Sequence, residues 1–438
     1  MRGFDDTFMV PHSRHTTIRR EEVEACGELK ILASSPKVGI FALSSEGKRP
    51  VCFFSFPMTK HAGYDKIRAD DPTGKGDFAM PQKKRRKRTA LLVLAGILAA
   101  LALTAGALLL FAPLRPSGRQ VLLCGAPVST MTNGLRAYVC TDALPDCGIR
   151  LEGTTAELDG VRADVGALLR DQDGKQYLPV RSLARKFSLT WGLWNGQQYY
   201  ARRVSLSEPE AGVQVPVFMY HAVGDDCWGE ESLFVRPAEL EAQLQYLQEN
   251  GYETIFFEDL SHIEQYEKPV ILTFDDGYDD NYTLLLPLLE KYQMKATIFM
   301  IGRDIGGNRK LTQEQVLALT RSGLVSIQSH GWSHHEMETM KRPELLKEMF
   351  RSRNAIAAAS GRVPYAVSYP NGRSSERTRK IAGWFYTYGI RTFEGAYVTG
   401  SDSMLIKRIA VKRDTPLEAF QAACQSAGQP TALPQQMP

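Results

Sequence analysis

Three observations predict an α/β fold for residues 213–426. Continuous apolar runs alternate with amphipathic stretches, which argues for β/α layers. Helix start and stop signals fall between the runs. A small set of chemically capable polar residues follows the ends of different runs rather than scattering.

The elements follow in order. The run 213–220 reads as the first strand. A helix comes next, with Pro237 near its start, Leu240, Leu244 and Leu247 on one stripe, and Gly251 as its stop. Residues 269–274 are a second strand, 282–292 a helix and 296–301 a third strand. Thr312-x-x-Gln315 is a capping box opening a helix that stops at Gly323. Residues 324–328 read as a strand, 343–359 as a helix, 366–369 as a strand and 375–382 as a helix. Thr415-Pro416-Leu417-Glu418 begins the last helix, with N-cap, N1 proline and N3 glutamate in sequence.

On that map His221 follows the first strand, Asp275 and Asp276 the second, His330 and His334 the strand at 324–328, and Asn371 the strand at 366–369. In a β/α barrel these strand ends form the face where the functional loops converge. Two imidazoles and one carboxylate with open positions suit a divalent metal that leaves room for water. The four-residue spacing of His330 and His334 puts both rings on one side of a helical turn. Adjacent Asp275 and Asp276 at a strand end point different ways, so one can ligate while the other takes a proton. His221 is then free to protonate a leaving group. The set suits hydrolysis of an amide or ester. Singly, an Asp-Asp pair is most often a solvated turn, and a lone strand-end histidine a satisfied structural group. Together at strand ends they argue for function. His335 faces away from His334, and His262 sits on a surface-like segment, so neither is assigned.

Composition narrows the rest of the chain. The 438 residues are 43% hydrophobic and 23% charged, with a formal net charge of +4. That length suggests two or three domains. The 36 Gly and 23 Pro are near average usage, which excludes collagen-like and wholly disordered chains. Seven cysteines, none at C-x-x-C spacing, exclude a disulfide scaffold and a zinc ribbon. The positive balance is local. Residues 83–88 are six consecutive Lys and Arg, and without them the chain stands at −2, so no nucleic-acid-binding face is expected.

Residues 89–112 follow the basic run without a single charge. As a helix they rise about 36 Å, enough for a hydrocarbon core of about 30 Å. The basic run marks the cytoplasmic side. This predicts a single-pass protein of the cell membrane with a cytoplasmic N-terminus and its C-terminal domain outside. A cleaved signal peptide is the runner-up, since the apolar stretch exceeds the usual h-region of about 7–15 residues. Residues 1–80 show no motif, no sustained periodicity and no ligand spacing among His12, His15 and His61. Met80 is a natural start, and translation from it is the expectation. Residues 427–438 read as a flexible tail. Of the outer cysteines, Cys140 and Cys147 close the shortest loop, with a disulfide and a free pair both left open.

Residues 113–208 read as a small α+β accessory module. Residues 113–118 are a linker, Leu158-Asp-Gly160 and Asp173-Gly174 turns, 181–187 a short helix, and 191–194 and 199–204 strands. Trp191, Trp194, Tyr199 and Tyr200 are core residues first and a sugar platform second. Residues 205–216 are a second linker. The run Tyr177-Leu-Pro-Val-Arg-Ser-Leu-Ala184 resembles the small α+β repeat related to the N-terminal domain of copper amine oxidases. That resemblance implies no metal site.

Thr273-Phe-Asp-Asp-Gly277 and Ser329-His-Gly-Trp-Ser-His334 resemble the first two motifs of the NodB-type polysaccharide deacetylases, carbohydrate esterase family 4. Val215-Pro-Val-Phe-Met-Tyr-His221 resembles the opening strand of that fold. The resemblance implies a distorted (β/α) barrel and one divalent metal, zinc first, with cobalt, nickel or manganese as alternatives. It implies Asp275 as catalytic base and Asp276, His330 and His334 as ligands. The reaction implied is removal of N-acetyl groups from N-acetylglucosamine units of a cell-surface polysaccharide. Three departures stand out. Gly331 replaces the usual Ser or Thr after the first histidine. Ser368-Tyr369-Pro370-Asn371-Gly372 replaces R-x-P-Y, so the arginine that orients the base is missing. Asn371, with Tyr369 beside it, then stands at the substrate and oxyanion position, where a backbone N–H suffices. No histidine follows His335, so the late catalytic histidine is also absent. The poly-N-acetylglucosamine deacetylase branch shares Y-P-x-G and uses an early Tyr-His as acid, which assigns that role to His221. Two other readings stay open: a non-catalytic glycan-binding surface protein on the same fold, and a deacetylase of peptidoglycan or acetyl esters.

Overall fold

The computed structural model describes residues 112–393 and 395–427, and the backbone of 29–35, 39–45 and 52–53. The short N-terminal segments belong to a unit spanning residues 1–101. They form an antiparallel three-stranded sheet of Leu29–Ser35, Gly39–Ser45 and Cys52–Phe53. Register shifts between Ile31 and Ser34 break the two-residue alternation, which is why no strand pattern shows in the sequence. The basic run and the tail 428–438 lie outside the described residues, as does the apolar segment but for Ala112. Among the described residues no helix is long and apolar enough to cross a membrane.

The accessory module is an α+β unit. Residues 113–118, expected as a linker, instead enter a strand, Arg115–Leu123, which pairs with Ala126–Thr132. A register irregularity between Pro116 and Gln120 is what admits a proline to this strand. The sheet has seven strands, in the order 170–172, 175–179, 137–140, 126–132, 115–123, 197–201 and 190–194. A three-stranded meander, Ile149–Glu152, Thr155–Leu158 and Val161–Asp164, and one helix, Val180–Lys186, complete it. The two Asp-Gly turns form as expected. Asp159 and Gly160 both have positive φ, as do Asp173 and Gly174, the backbone a two-residue hairpin needs. Leu123, Val139, Leu178 and Leu183 fill the core. Tyr199 and Tyr200 are buried as predicted, whereas Trp191 is exposed. The five described cysteines, Cys124, Cys140 and Cys147 here and Cys227 and Cys424 further along the chain, are all free thiols.

The second half is a parallel barrel. Its strands are β1 (Val217–Tyr220), β2 (Pro269–Asp276), β3 (Ala296–Met300), β4 (Val325–Ser329), β5 (Ala366–Ser368), β6 (Tyr388–Ile390) and β7 (Ile409–Ala410). Each pairs with the next in parallel from β1 to β6, and β7 pairs back onto β1. The ring closes through the chain just before β7, where Ile406 bridges Ile390 in parallel. Helices wrap the outside: α1 (Pro237–Glu249), α2 (Leu286–Tyr292), α3 (Gln313–Arg321), α4 (Arg342–Ser360), α5 (Glu376–Ala382) and α6 (Leu417–Ala427). The capping box of Thr312 and Gln315 is formed in both directions. Strands β6 and β7 escaped the sequence reading because three and two residues carry no readable period. The predicted helix at 282–292 begins instead as a π-turn, Asn281–Leu285, before α2.

The module docks on α4. Ala357 and Ala358 of α4 meet Leu122, Tyr199 and Ala201 in an apolar cluster. Tyr199 Oη donates to Asn354 Oδ1 at 2.5 Å, and Arg202 and Gly361 join by a backbone hydrogen bond of 2.8 Å. Gly361 ends α4 with φ +73°, and a Cβ there would run into the Cys124 backbone.

Candidate active site

Asp275 and Asp276 are the last two residues of β2, and all eight residues of that strand are buried. Simple alternation would send their carboxylates to opposite sides. Asp276 instead has φ +73°, which turns its side chain back into the barrel mouth. Both carboxylates therefore reach His330 Nε2, at 3.8 Å for Asp275 and 3.6 Å for Asp276. Their partners divide them. Asp275 is gripped by Arg408 through two parallel bonds of 2.7 Å, the bidentate geometry a planar guanidinium favours. Asp276 Oδ2 accepts from the Tyr278 hydroxyl at 2.8 Å, while its Oδ1 is buried with no hydrogen-bond partner.

Arg408 supplies the arginine that the third motif lacks. It lies one residue before β7 and is fully buried. A guanidinium has five N–H donors. The acceptors here are both Asp275 oxygens, Thr273 Oγ1, Ser368 Oγ and the Arg391 carbonyl. Burial alone would raise the pKa of Asp275. The charges of Arg408, His330 and His221 outweigh it and hold the carboxyl well below the usual range. Asp276 is also held down, against its burial, by His330, Lys310 and His221.

Asp276, His330 and His334 place one ligand atom each within 4.8 Å of one another. His334 Nε2 stands 3.5 Å from Asp276 Oδ1. His330 directs Nδ1 to the Ser368 carbonyl at 2.8 Å, which leaves Nε2 to face the two carboxylates. Two imidazole nitrogens around an orphaned carboxylate oxygen fit a divalent cation, which would satisfy Asp276 Oδ1. The presentation differs from the helical turn expected. Residues 330–336 form a loop, with Gly331 at φ +78° and His334 at φ +60°. The ring centroids nonetheless stand 4.8 Å apart.

His221 directly follows β1 and faces the same mouth. Burial lowers its pKa, and Asp275 and Asp276 pull it back up. Its carbonyl accepts from Asn281 Nδ2 at 3.1 Å, a contact made by the π-turn before α2. Asn371 is exposed, with φ +56°, beside Glu336. Tyr369 does not join the site with its side chain: the ring is fully buried and its hydroxyl donates to the Met404 carbonyl at 3.3 Å. A β-strand neighbour of Ser368 points the other way, into the wall of the barrel. His335 is exposed against Ser333, and His262 lies on the surface, as read.

Four residues, Arg408 among them, shape the site although the sequence pattern assigns them no role in it. Glu348 of α4 accepts from the Trp332 and Ser333 backbone N–H groups at 2.8 and 2.7 Å and from the Ser333 hydroxyl, clamping the histidine loop. Its one sequence signal is an acidic residue among the buried positions Leu345, Met349 and Ser352. Lys310 donates to the Asp276 carbonyl and lies over the Tyr278 ring. Ser368 bridges Arg408 and Asp275. Neither Lys310 nor Arg408 has a local pattern that marks it.

A family model described as polysaccharide deacetylase matches residues 262–385. The Bacillus subtilis (strain 168) protein YxkH, named for the same family, is 35% identical over 223 residues, covering 50% of this chain and 78% of its own length. The poly-beta-1,6-N-acetyl-D-glucosamine N-deacetylase of Escherichia coli (strain K12) is 30% identical over 136 residues, covering 26% of this chain and 20% of that enzyme. Among solved structures, a polysaccharide deacetylase from Bacillus cereus aligns at TM-score 0.46 with 24% identity, covering 57% of this chain and 81% of that one. Residues 1–71, where no motif was read, match a model described as homoserine O-succinyltransferase. The homoserine O-acetyltransferase of Acetivibrio thermocellus is 44% identical there over 67 residues, only 20% of its own length.

Proposed function

The chain belongs to the polysaccharide deacetylase family, a family of hydrolases, and from that premise we propose that residues 213–426 remove N-acetyl groups from an N-acetylglucosamine polymer. One observation carries the reading: the orphaned Asp276 Oδ1 faces two imidazoles beside an ionised Asp275 locked by Arg408. Asp276, His330 and His334 would hold a divalent cation, zinc first. When bound, it would act as a Lewis acid toward the acetamide carbonyl and make water easier to deprotonate.

The protein's own residues do the rest. Asp275 takes the proton of the attacking water, and its depressed pKa keeps it ionised for that task at neutral pH. Arg408 fixes both Asp275 oxygens, so the carboxylate cannot rotate away. The Asn371 backbone N–H stabilises the developing oxyanion. His221 protonates the departing nitrogen, and burial, which lowers its pKa, favours giving that proton up. The basic run and the apolar segment at 89–112 support a membrane anchor with this domain outside the cell.

The test is acetate release with metal analysis on three substrates: poly-N-acetylglucosamine, peptidoglycan and chitin oligomers. Asp275→Asn that still released acetate at the wild-type rate would sink the base assignment. The polymer hydrolysed fastest names the substrate class.

A further inference from the structure

A cleft of about 400 Å³ runs between the module and the barrel, lined by Trp194, Asn195, Arg303, Gln313, Trp332 and Ala355 among others. It joins two parts of the chain with unrelated cores. Trp194 comes from the module and ends the strand Thr190–Trp194, just before the Asn195-Gly196 turn. Trp332 comes from the barrel and lies between the ligands His330 and His334. The two indoles meet edge to face, with centroids 5.3 Å apart.

Both walls are held. Glu348 accepts from the Trp332 N–H, and Arg303 N–H donates to the Trp332 carbonyl at 3.0 Å. A Cβ on Gly302 would meet the Trp332 ring at 3.2 Å, so the ring rests directly on backbone. On the other side, Trp194 packs on the docked cluster of Leu122, Tyr199 and Ala357. Neither indole is fully buried.

The lining chemistry selects the ligand. Two indoles, each partly exposed, offer apolar surface to the cleft, with the Arg351 guanidinium 5.7 Å over the Trp332 ring, while Asn195, Arg303, Thr312, Gln313 and Glu314 put hydrogen-bonding groups of both charge signs around them. A pyranose ring matches that mixture, with an apolar C–H face and polar hydroxyl and acetamide edges. A lipid tail would leave the polar rim unsatisfied, and a polyanion would meet Glu314.

We propose that this cleft is an outer subsite for the same polysaccharide, binding a β-linked N-acetylhexosamine chain beyond the unit that reacts at the histidine loop. It rests on the deacetylase reading and gives the module a role in it: chain-length preference. Trp332 connects the two sites, because one loop carries both the ligands and the cleft wall.

The test compares a chitin dimer with a chitin hexamer. In Trp194→Ala the ratio of kcat/KM on the hexamer to that on the dimer should fall about fivefold to tenfold, through KM, as loss of one aromatic contact implies. Trp194→Phe, which keeps an aromatic ring, should fall between, and it decides the question if Trp194→Ala does not fold. An unchanged ratio, or an equal loss on both substrates, overturns the proposal. Calorimetric titration of the hexamer into the Asp275→Asn protein, with and without Trp194→Ala, reads the cleft without turnover. Weaker binding in the double variant upholds the subsite, and equal binding overturns it. If the wild-type protein released no acetate from either oligomer, the deacetylase reading would fail while this binding result still stood.

Discussion

Helix α4 serves two regions of the molecule that use opposite physics. Toward its N-terminal half, Glu348 holds the histidine loop at the barrel mouth, where four ionisable groups, Asp275, Asp276, His330 and Arg408, are buried together. Toward its C-terminal end, alanines and Gly361 receive the module through close apolar contact and one buried side-chain hydrogen bond. The mouth is expensive to assemble, since each buried charge requires its partner. The docking face is less expensive: it rests on close apolar fit and a few hydrogen bonds, with no buried charge to compensate. The difference teaches that damage at the mouth should appear in chemistry, whereas damage at the docking face should appear in stability and chain-length preference.

The largest expected effect breaks the mouth. Asp275→Asn should lower acetate release by about 10²–10⁴-fold while metal content stays at the wild-type level. His330→Ala should lose both metal and activity. Atomic absorption beside an acetate assay separates the two outcomes.

Next in size is Arg408→Met, which leaves the Asp275 carboxylate buried and uncompensated. Breaking such a pair costs about 3–5 kcal/mol, read as a lower denaturation midpoint. It should also raise the pKa of Asp275, so the acid limb of the kcat/KM profile moves to higher pH. A melt without the pH shift would make Arg408 structural only.

The docking face is probed by Gly361→Ala. Positive φ and overlap with Cys124 should together cost about 1–3 kcal/mol. Metal content and turnover of the chitin dimer should survive. Loss of metal in this variant would erase the contrast between the two regions.

The last effect is a slope rather than a step. Burial raises the pKa of Asp280 to about 7, against the hydrogen bonds from Val223 and Asn281. The ordinary unfolded value is about 3.9. Between those values the folded state holds the proton and the unfolded state does not. Stability from this group is therefore full below about pH 4 and lost as pH rises toward 7, by at most about 1.4 kcal/mol per pH unit. Asp280→Asn should flatten that decline in denaturation midpoints measured from pH 4 to 8.

Much of the barrel is legible in the chain because its signals are local. Leu240, Leu244 and Leu247 mark a helix by their period, and Thr312 with Gln315 marks a helix start by side-chain geometry. His221, Asp275, Asp276, His330 and His334 announce themselves by type and by position at strand ends. Tyr369 misled because it adjoins the site in sequence while its ring faces the barrel wall. The linker reading of residues 113–118 failed because Pro116 sits at a strand irregularity that composition cannot reveal.

The sequence by itself determined the residue types of the site, the alternation that makes a barrel and the turns of the module. Each of those depends on neighbours a few positions away. Only the tertiary structure decided that Arg408 replaces the missing arginine, 133 residues from Asp275. It also decided that Glu348 clamps the histidine loop, and that Trp194 meets Trp332 across a cleft. Such pairings depend on where ring closure and docking bring distant backbones, and no local period or propensity encodes that distance.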